Sequence, residues 1–179
     1  NPFNLKYNPC GSSSGSAAAI AQGLVPVSIG TETNGSITCP ASVNGVVGIK
    51  PTVGLVSRTG VIPISETQDT AGPMAKNVMD AARVLKAIAG KDPLDSYTAK
   101  IPQDYDYKKL TDLDANYLKG KRVGVLNSSE SSEIEKGLIK KVKKVLAAKG
   151  AVIVDVEFNI SSDYKAAKEF YVLLYEFNV

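Results

Sequence analysis

The chain has 179 residues, which is enough for one domain with its own core, and its 44% hydrophobic and 22% charged residues are ordinary for a globular protein. A net charge of +3 is too small to indicate a nucleic-acid or membrane-surface partner. No apolar run approaches the ~18–20 residues of a membrane span. Two cysteines, Cys10 and Cys39, do not make a disulfide framework, so we expect reduced thiols in a cytoplasmic protein.

The first half of the chain is rich in glycine, serine, threonine and proline. The alanines of "AAAIAQG", residues 17–23, predict a short helix that ends at Gly23. "LVPVSIG", residues 24–30, predicts a strand, "TETNGSITCP" predicts a loop, and "VVGIKPT" predicts another buried apolar segment. Apolar residues at helical spacing in "NVMDAARVLKAIAG" predict a helix that begins after an Asn77 cap and ends at Gly90.

The second half predicts a strand–helix–strand unit after a polar connection over residues 91–121. "RVGVL" predicts the first strand and "AVIVDVEF" the second, and the helix between them begins with a capping box of Ser132 and Glu135. Strand, helix, strand at this spacing indicates a parallel pair. A last helix is predicted over residues 163–177.

These elements predict an α/β fold in which helices cover a mixed, partly parallel sheet. We divide the chain into a region of short elements and small residues, 1–90, the connection, and the strand–helix–strand unit with its following helix, 122–179. The sequence opens without methionine and stops inside the apolar pattern of its last helix, so we expect both ends to be truncated.

Two stretches combine hydroxyl groups with glycine: "CGSSSGS", residues 10–16, and "TNGS", residues 33–36. A Gly/Ser loop before a helix can bind an anion on its backbone N–H groups, although this one lacks the Lys-Ser/Thr pair of a P-loop and the G-x-G-x-x-G spacing. A serine nucleophile is a second hypothesis. Plain turns, one capping a helix and one joining strands, are a third, and the local sequence leaves all three open.

The chain contains no histidine, which limits how a serine could react. A serine hydroxyl is a weak nucleophile until a base removes its proton. Without histidine, the Ser-His-Asp triad, the Cys-His dyad and histidine metal sites are excluded within the chain, and two cysteines far apart in sequence are poor zinc ligands. A lysine kept neutral by its surroundings is the remaining base, with a second serine as a proton relay.

Residues 8–90 carry a long ordered series of motifs, among them "CGSSSGS", "TETNGS", "GVVGIKPT" and "TQDTAGP". This series resembles the signature region of the amidase signature family of amide hydrolases. The resemblance implies an α/β/α fold, of which this chain is a part, and a Ser–cisSer–Lys catalytic group. It implies no metal and no organic cofactor.

Carried over residue by residue, the resemblance implies that Ser36 is the nucleophile. It implies that Ser12, after a cis peptide bond with Gly11, is the bridging serine, and Ser13 is expected to support this relay by hydrogen bonding. It places the oxyanion hole on the backbone N–H groups of four successive residues, Thr33, Asn34, Gly35 and Ser36. The family's lysine base lies well upstream of the serine-rich loop, in a segment that this chain does not contain.

Three further residues receive structural interpretations. Lys50 of "GIKPT" matches a family position that is not the base. Asp69 is expected to be a buried carboxylate that accepts hydrogen bonds. Cys39 lies near the nucleophile in sequence, but without a base beside it we expect a packed thiol.

The chain also departs from the commonest family pattern. Asn34-Gly35 stands where Gly-Gly is usual, Thr38 stands where many members carry arginine, and "GSSSGS" differs from the "GGSSGG" of the A-type amidotransferase subunits that act on charged tRNA. These departures favour a stand-alone amidase. An amidotransferase A-type subunit is one alternative, and a non-catalytic anion- or phosphate-binding module is another.

The sequence therefore predicts hydrolysis of a small-molecule carboxamide to an acid and ammonia or an amine, through a serine acyl-enzyme. We expect no nucleic-acid or membrane partner, and no oligomeric state is predicted. Because the lysine base is missing, we expect the chain by itself to be inactive.

Overall fold

The computed structural model describes residues 1–127 and 132–157. Within them the α-helices are α1 (Ser14–Gln22), α2 (Thr38–Val43), α3 (Val78–Ile88) and α4 (Glu133–Ala148). The strands are β1 (Val27–Glu32), β2 (Val47–Gly48), β3 (Thr70–Ala75), β4 (Arg122–Asn127) and β5 (Val152–Glu157). Two 3₁₀-helices, Ser96–Lys100 and Tyr107–Thr111, lie in the predicted connection. One compact unit comprises Asn1–Asp112, and a second begins at Leu113.

The first unit is built on a three-stranded antiparallel sheet in the order β1–β3–β2. Its central strand β3 is buried along its whole length. The β1–β3 register runs from Val27 opposite Ala75 to Glu32 opposite Thr70. We did not predict β3 from the sequence, because it contains glycine and proline and lacks an alternation of apolar and polar residues. Pro73 has no N–H to donate, yet its carbonyl oxygen accepts a backbone N–H just after β2 at 3.0 Å.

Helix α1 packs on this sheet and carries the serine-rich loop in front of its first turn. It begins at Ser14, earlier than predicted, and ends as predicted at Gly23, whose φ of 75° makes a left-handed C-cap. A buried cluster joins the helix, the sheet and the chain after β1: Ala17, Ile20, Ile37 and Met74. The two hydroxyl-rich stretches, residues 10–16 and residues 33–36, therefore both adjoin this buried cluster.

Helix α3 covers the other end of β3. The Asn77 cap is confirmed, since its side chain accepts the Asp80 N–H at 2.9 Å. The helix ends at Ile88, two residues before the predicted Gly90. A second buried cluster lies beneath it and contains Val56, Ala71 and Leu85.

A bidentate ion pair links the chain between β2 and β3 to the residue that caps the first 3₁₀-helix. The Arg58 guanidinium donates from Nε and Nη2 to the Asp95 carboxylate at 2.9 and 2.8 Å, and the Arg58 N–H also donates to it at 2.9 Å. The hydrogen bond from Arg58 holds the pKa of the Asp95 carboxyl well below its ordinary value, and the same bond raises the pKa of Arg58. Arg58 also lies over the ring of Tyr97 at 4.2 Å. No sequence motif marked this cluster.

The second unit follows the predicted order. Strands β4 and β5 pair in parallel, with Arg122 opposite Val152, and α4 connects them. The capping box is confirmed: Ser132 accepts the Glu135 N–H, and the Glu135 carboxylate accepts the Ser132 N–H at 2.7 Å. Apolar side chains recur at helical spacing along α4, and most of them are exposed in this part of the chain, including Ile134, Leu138, Val142 and Val145.

The described residues thus form an α/β structure with helices against an antiparallel sheet in one unit and a parallel pair in the other. The predicted α/β class and parallel pair are confirmed. The helix predicted over residues 163–177 lies outside the described residues. In the part of the chain that the structure describes, no helix is both long and apolar enough to span a membrane.

Candidate active site

The β1–α2 loop, residues 33–37, carries the predicted nucleophile. Strand β1 ends at Glu32, and α2 begins at Thr38, so Ser36 lies in a tight turn between a strand and a helix. Gly35 has a φ of 81°, a left-handed conformation that side chains with a Cβ rarely adopt. Its carbonyl accepts the Cys39 N–H at 2.8 Å, which starts the helix directly after the turn. The sequence predicted this whole stretch as a loop and missed α2.

Glu32, the last residue of β1, holds this loop through hydrogen bonds to its side chain. The residue is only 6% exposed, and its carboxylate accepts the backbone N–H groups of Ile37 and Thr38, each at 2.8 Å. The Thr38 hydroxyl donates to the same carboxylate at 3.1 Å. Glu32 therefore occupies the N-terminal end of α2 and fixes the chain on the C-terminal side of Ser36.

The ionisation of Glu32 follows from these contacts. Burial raises the pKa of the Glu32 carboxyl. Hydrogen bonds from the backbone N–H groups of Thr38, Ile37 and Gly35 and from the Thr38 hydroxyl together lower it by more, so the pKa lies below its ordinary value. The residue is a carboxylate at neutral pH. The Gly35 N–H interacts with this carboxylate, whereas its predicted role as an oxyanion donor stays a prediction.

Asp69 holds the other side of the same loop. Its carboxylate accepts the Thr33 hydroxyl at 2.5 Å and the backbone N–H groups of Ile64 and Ser65 at 2.7 and 2.9 Å. Its exposed fraction is 8%, which confirms the prediction of a buried carboxylate that accepts hydrogen bonds. Asp69 thus links the first residue of the β1–α2 loop to the chain before β3.

The serine loop, residues 10–13, lies beside the β1–α2 loop. The Ser13 N–H donates to the Ser36 carbonyl oxygen at 3.1 Å, so the two stretches are directly bonded through their backbones. The Ser13 hydroxyl accepts the Thr31 N–H at 3.1 Å and donates to the Thr31 carbonyl at 3.2 Å. Gly30 leaves the space for this contact, because a Cβ there would lie 2.8 Å from Ser13 Oγ.

The Gly11–Ser12 peptide bond is cis, as the resemblance implied. Ser12 is exposed and Ser36 is half-buried, so both hydroxyl-bearing side chains are accessible. Lys50 is exposed, whereas a neutral lysine base needs a buried position. The structure thus places the two predicted serines on neighbouring loops and Lys50 at an exposed position.

The expectation of two reduced thiols is wrong. Cys10 and Cys39 form a disulfide, and their Cα atoms are 6.0 Å apart. Cys39 is therefore not a packed thiol, because the serine loop and the first turn of α2 are neighbours in space although the two cysteines are far apart in sequence. The prediction of a cytoplasmic protein loses the support that it drew from reduced thiols.

Sequence reasoning also missed Glu32. The signal that could have identified it is a carboxylate at the end of a strand, five and six residues before two N–H groups of a new helix. The helix itself is only six residues long and begins with threonine, cysteine and proline, so no periodic pattern marked it. Without α2, nothing in the sequence identified Glu32 as a cap.

Comparison with known proteins agrees with this geometry. The sequence profile described as Amidase matches residues 1–178. The chain belongs to the amidase family. Among its relatives in this family, a probable amidase of Arabidopsis thaliana is 48% identical over 159 residues, which are 87% of this chain and 29% of that protein. The A-type subunit of the glutamyl-tRNA(Gln) amidotransferase of Caldanaerobacter subterraneus is 45% identical over 87% of this chain and 32% of its own length.

Solved structures of the amidase family share the fold. The native peptide amidase of Stenotrophomonas maltophilia matches 99% of this chain with a TM-score of 0.90 and 51% identity, and the match covers 36% of that protein. The A-type subunit of the glutamyl-tRNA(Gln) amidotransferase of Thermotoga maritima matches 98% of this chain and 38% of its own chain, with a TM-score of 0.81 and 33% identity. The chain spans about a third of the length of these relatives.

Proposed function

We propose that the full-length protein hydrolyses a carboxamide C–N bond to a carboxylic acid and ammonia or an amine, through an acyl-enzyme on Ser36. The observation that carries the proposal is the contact between the serine loop and the β1–α2 loop, where the Ser13 N–H donates to the Ser36 carbonyl at 3.1 Å. This contact holds the hydroxyl-bearing residues Ser12 and Ser36 on adjoining turns in an amidase-family chain. Anchored turns of this kind supply the fixed geometry that nucleophilic catalysis needs.

In the proposed reaction, Ser36 Oγ attacks the amide carbonyl carbon while its proton passes to Ser12, and from there to a lysine outside residues 1–179. The carbonyl oxygen becomes an oxyanion, which we assign to backbone N–H groups of the β1–α2 loop, those of Thr33, Asn34 and Ser36. Each such donor contributes about 3 kcal/mol to transition-state stabilisation. The N–H of Gly35, the fourth predicted donor, already interacts with the Glu32 carboxylate. Collapse of the intermediate breaks the C–N bond, and the leaving nitrogen takes the proton.

Water then attacks the Ser36 ester. It delivers its hydroxyl to the acyl carbon and returns a proton to Ser36 Oγ, so the products are the free acid and the original enzyme. We propose a peptide amide as the first substrate to test, because a peptide amidase is 51% identical to this chain over nearly its whole length.

The position of Glu32 counts against the anion-binding alternative. The N–H groups of Ile37 and Thr38 at the start of α2 already bind its carboxylate at 2.8 Å. At the serine loop, the Ser13 N–H is bonded to the Ser36 carbonyl. These donors are therefore not free to hold an external phosphate.

The proposal is tested by measuring ammonia release from a peptide amide by the full-length protein and its Ser36→Ala variant. We expect the variant to lose at least about a thousandfold in kcat, because the nucleophile is gone. Ser42→Ala, an exposed serine in α2, is the matched control and retains activity. Normal turnover by Ser36→Ala sinks the proposal.

Two related expectations use the same assay. Ammonia release by the purified protein without partner subunits favours a stand-alone amidase over an amidotransferase A-type subunit. We also propose that residues 1–179 alone turn over no amide, because the proposed relay then has no lysine to accept the proton. A burst of product from that chain alone contradicts this second expectation.

A further inference from the structure

The Cys10–Cys39 disulfide joins the serine loop to α2, the helix that directly follows the β1–α2 loop. Cys10 stands two residues before Ser12, and Cys39 stands three residues after Ser36, in the first turn of α2. We propose that this disulfide is a positioning cross-link, which holds the serine loop against the β1–α2 loop so that amide turnover is fast in the oxidised protein and slow in the reduced one. The inference rests on the proposed function, since it assumes that Ser12 and Ser36 exchange a proton.

The backbone around Cys10 has few other means of holding its conformation. Cys10 has a φ of 59°, the left-handed region in which residues with a Cβ are uncommon. Its N–H donates to the side chain of Asn8 at 2.7 Å, which is a contact within the same exposed stretch. The disulfide is the covalent contact that ties this residue to the folded core, through α2.

Two hydrogen bonds flank the cross-link. The buried Asn44 side chain at the end of α2 donates to the Pro9 carbonyl at 2.9 Å, and the Ser13 N–H donates to the Ser36 carbonyl at 3.1 Å. These bonds remain when the disulfide is reduced, so we expect the loops to stay folded. Gly11 and Ser12 lie between the two bonds and are exposed, so they gain the most freedom.

Small displacements at this point have large consequences for proton transfer. A relay needs its hydroxyl within hydrogen-bond reach of both the nucleophile and the base. Displacements of about 1 Å in catalytic groups can lower the rate by about a hundredfold. Because two hydrogen bonds still restrain the loop, we expect a smaller decrease in kcat on reduction, about tenfold.

The chemistry of the switch is thiol–disulfide exchange. Both cysteines are half-buried and border exposed residues, so a small dithiol can reach them. One thiolate of the dithiol attacks a disulfide sulfur to form a mixed disulfide, and its second thiolate displaces the remaining protein sulfur. The balance is one protein disulfide and one dithiol consumed, with two protein thiols and one cyclic disulfide formed. Such a bond persists in oxidising compartments and is reduced by cytosolic thiols.

The test compares the full-length protein in its oxidised form, after treatment with dithiothreitol, and after reoxidation with oxidised glutathione. We expect reduction to lower kcat about tenfold while KM for the peptide amide changes by less than about twofold, and reoxidation to restore kcat. Alkylation of both Cys10 and Cys39 verifies that reduction is complete. Fully reduced protein with an unchanged kcat overturns the proposal.

Variants separate positioning from general loss of stability. The Cys10→Ser/Cys39→Ser double variant is expected to be slow with and without dithiol. Leu85→Ala, a core substitution in α3, is the matched destabilised control and is expected to keep the kcat of the oxidised wild type below its lower Tm. A double variant with wild-type kcat overturns the proposal. If that variant does not fold, reduction of the wild type decides alone.

Failure of this proposal is distinguishable from failure of the proposed function. If Ser36→Ala abolishes turnover but reduction leaves kcat unchanged, only the positioning role of the disulfide is wrong. If Ser36→Ala retains turnover, the catalytic assignment itself is wrong, whatever the effect of dithiol.

Discussion

Among residues 1–127 and 132–157, Glu32 caps a helix in the first unit and Glu135 caps one in the second, in contrasting surroundings. Glu135 is exposed, and its carboxylate accepts the N–H of Ser132, three residues earlier in the chain. Glu32 is 6% exposed and accepts N–H groups of the loop that carries Ser36 and of the helix behind it. The Glu135 cap stabilises the start of a helix, whereas the Glu32 cap also sets the position of the proposed nucleophile.

The same contrast extends to the rest of the two units. In the second unit, α4 and its strands follow from periodic apolar residues and local caps. In the first unit, Glu32 bonds N–H groups five and six residues away, and the loops are also held by contacts between distant parts of the sequence, those of Asp69 with Thr33, of Asp95 with Arg58 and the Cys10–Cys39 disulfide. Local sequence therefore determines the second unit, and long-range polar contacts determine the proposed site.

The largest difference between the units is expected from removing the two capping charges. In the full-length protein, Glu32→Gln places an amide NH₂ near backbone N–H donors, and we expect kcat to fall about a hundredfold and stability to fall by about 2–3 kcal/mol. Glu135→Gln is the matched control, for which kcat is expected to stay unchanged. Ammonia release and urea unfolding measure both effects. Equal effects of the two substitutions contradict the contrast between the caps.

A smaller effect, on stability alone, is expected from breaking the Arg58–Asp95 ion pair of the first unit. Asp95→Asn removes the charge partner of a largely buried Arg58 and is expected to cost about 3 kcal/mol. Asp80→Asn breaks the exposed pair with Arg83 and is expected to cost under about 1 kcal/mol. Urea denaturation of the two variants checks the difference. Losses of similar size would show that burial does not distinguish these pairs.

The smallest effect is expected from pH. The folded pKa values of Glu32 and Asp95 lie below their ordinary values of 4.5 and 3.8, so the folded state binds these protons less readily than the unfolded state. Their contribution to stability is complete above about pH 5 and is lost as pH falls through the folded pKa values. We expect the Glu32→Gln/Asp95→Asn double variant to lose less stability than wild type between about pH 5 and about pH 3, measured by urea unfolding. Parallel curves contradict this assignment.

Sequence patterns predicted the elements that carry their own signals. The Asn77 cap, the Gly23 stop and the Ser132–Glu135 capping box are each confirmed, because each depends on residues a few positions apart. Strand β3 was missed because it is buried on both sides and contains proline, and α2 was missed because it is too short for a periodic pattern.

The site was predictable only in part. The resemblance placed Ser12 and Ser36, and the structure brings their loops together. The disulfide was predicted wrongly, since sequence separation does not reveal that Cys10 and Cys39 lie with their Cα atoms 6.0 Å apart. Pairing of cysteines depends on the fold of the intervening chain, which here includes α2, an element that the sequence did not reveal.

The central claim is that Ser36 is an activated nucleophile, and labelling with a fluorophosphonate probe tests it most directly. An activated serine displaces fluoride and forms a phosphonate ester, whereas an ordinary surface serine does not react. Mass spectrometry of the labelled full-length protein is expected to place the ester on Ser36, with labelling lost in Ser36→Ala and retained in Ser42→Ala. A protein that hydrolyses amides yet carries the label on another serine contradicts the account.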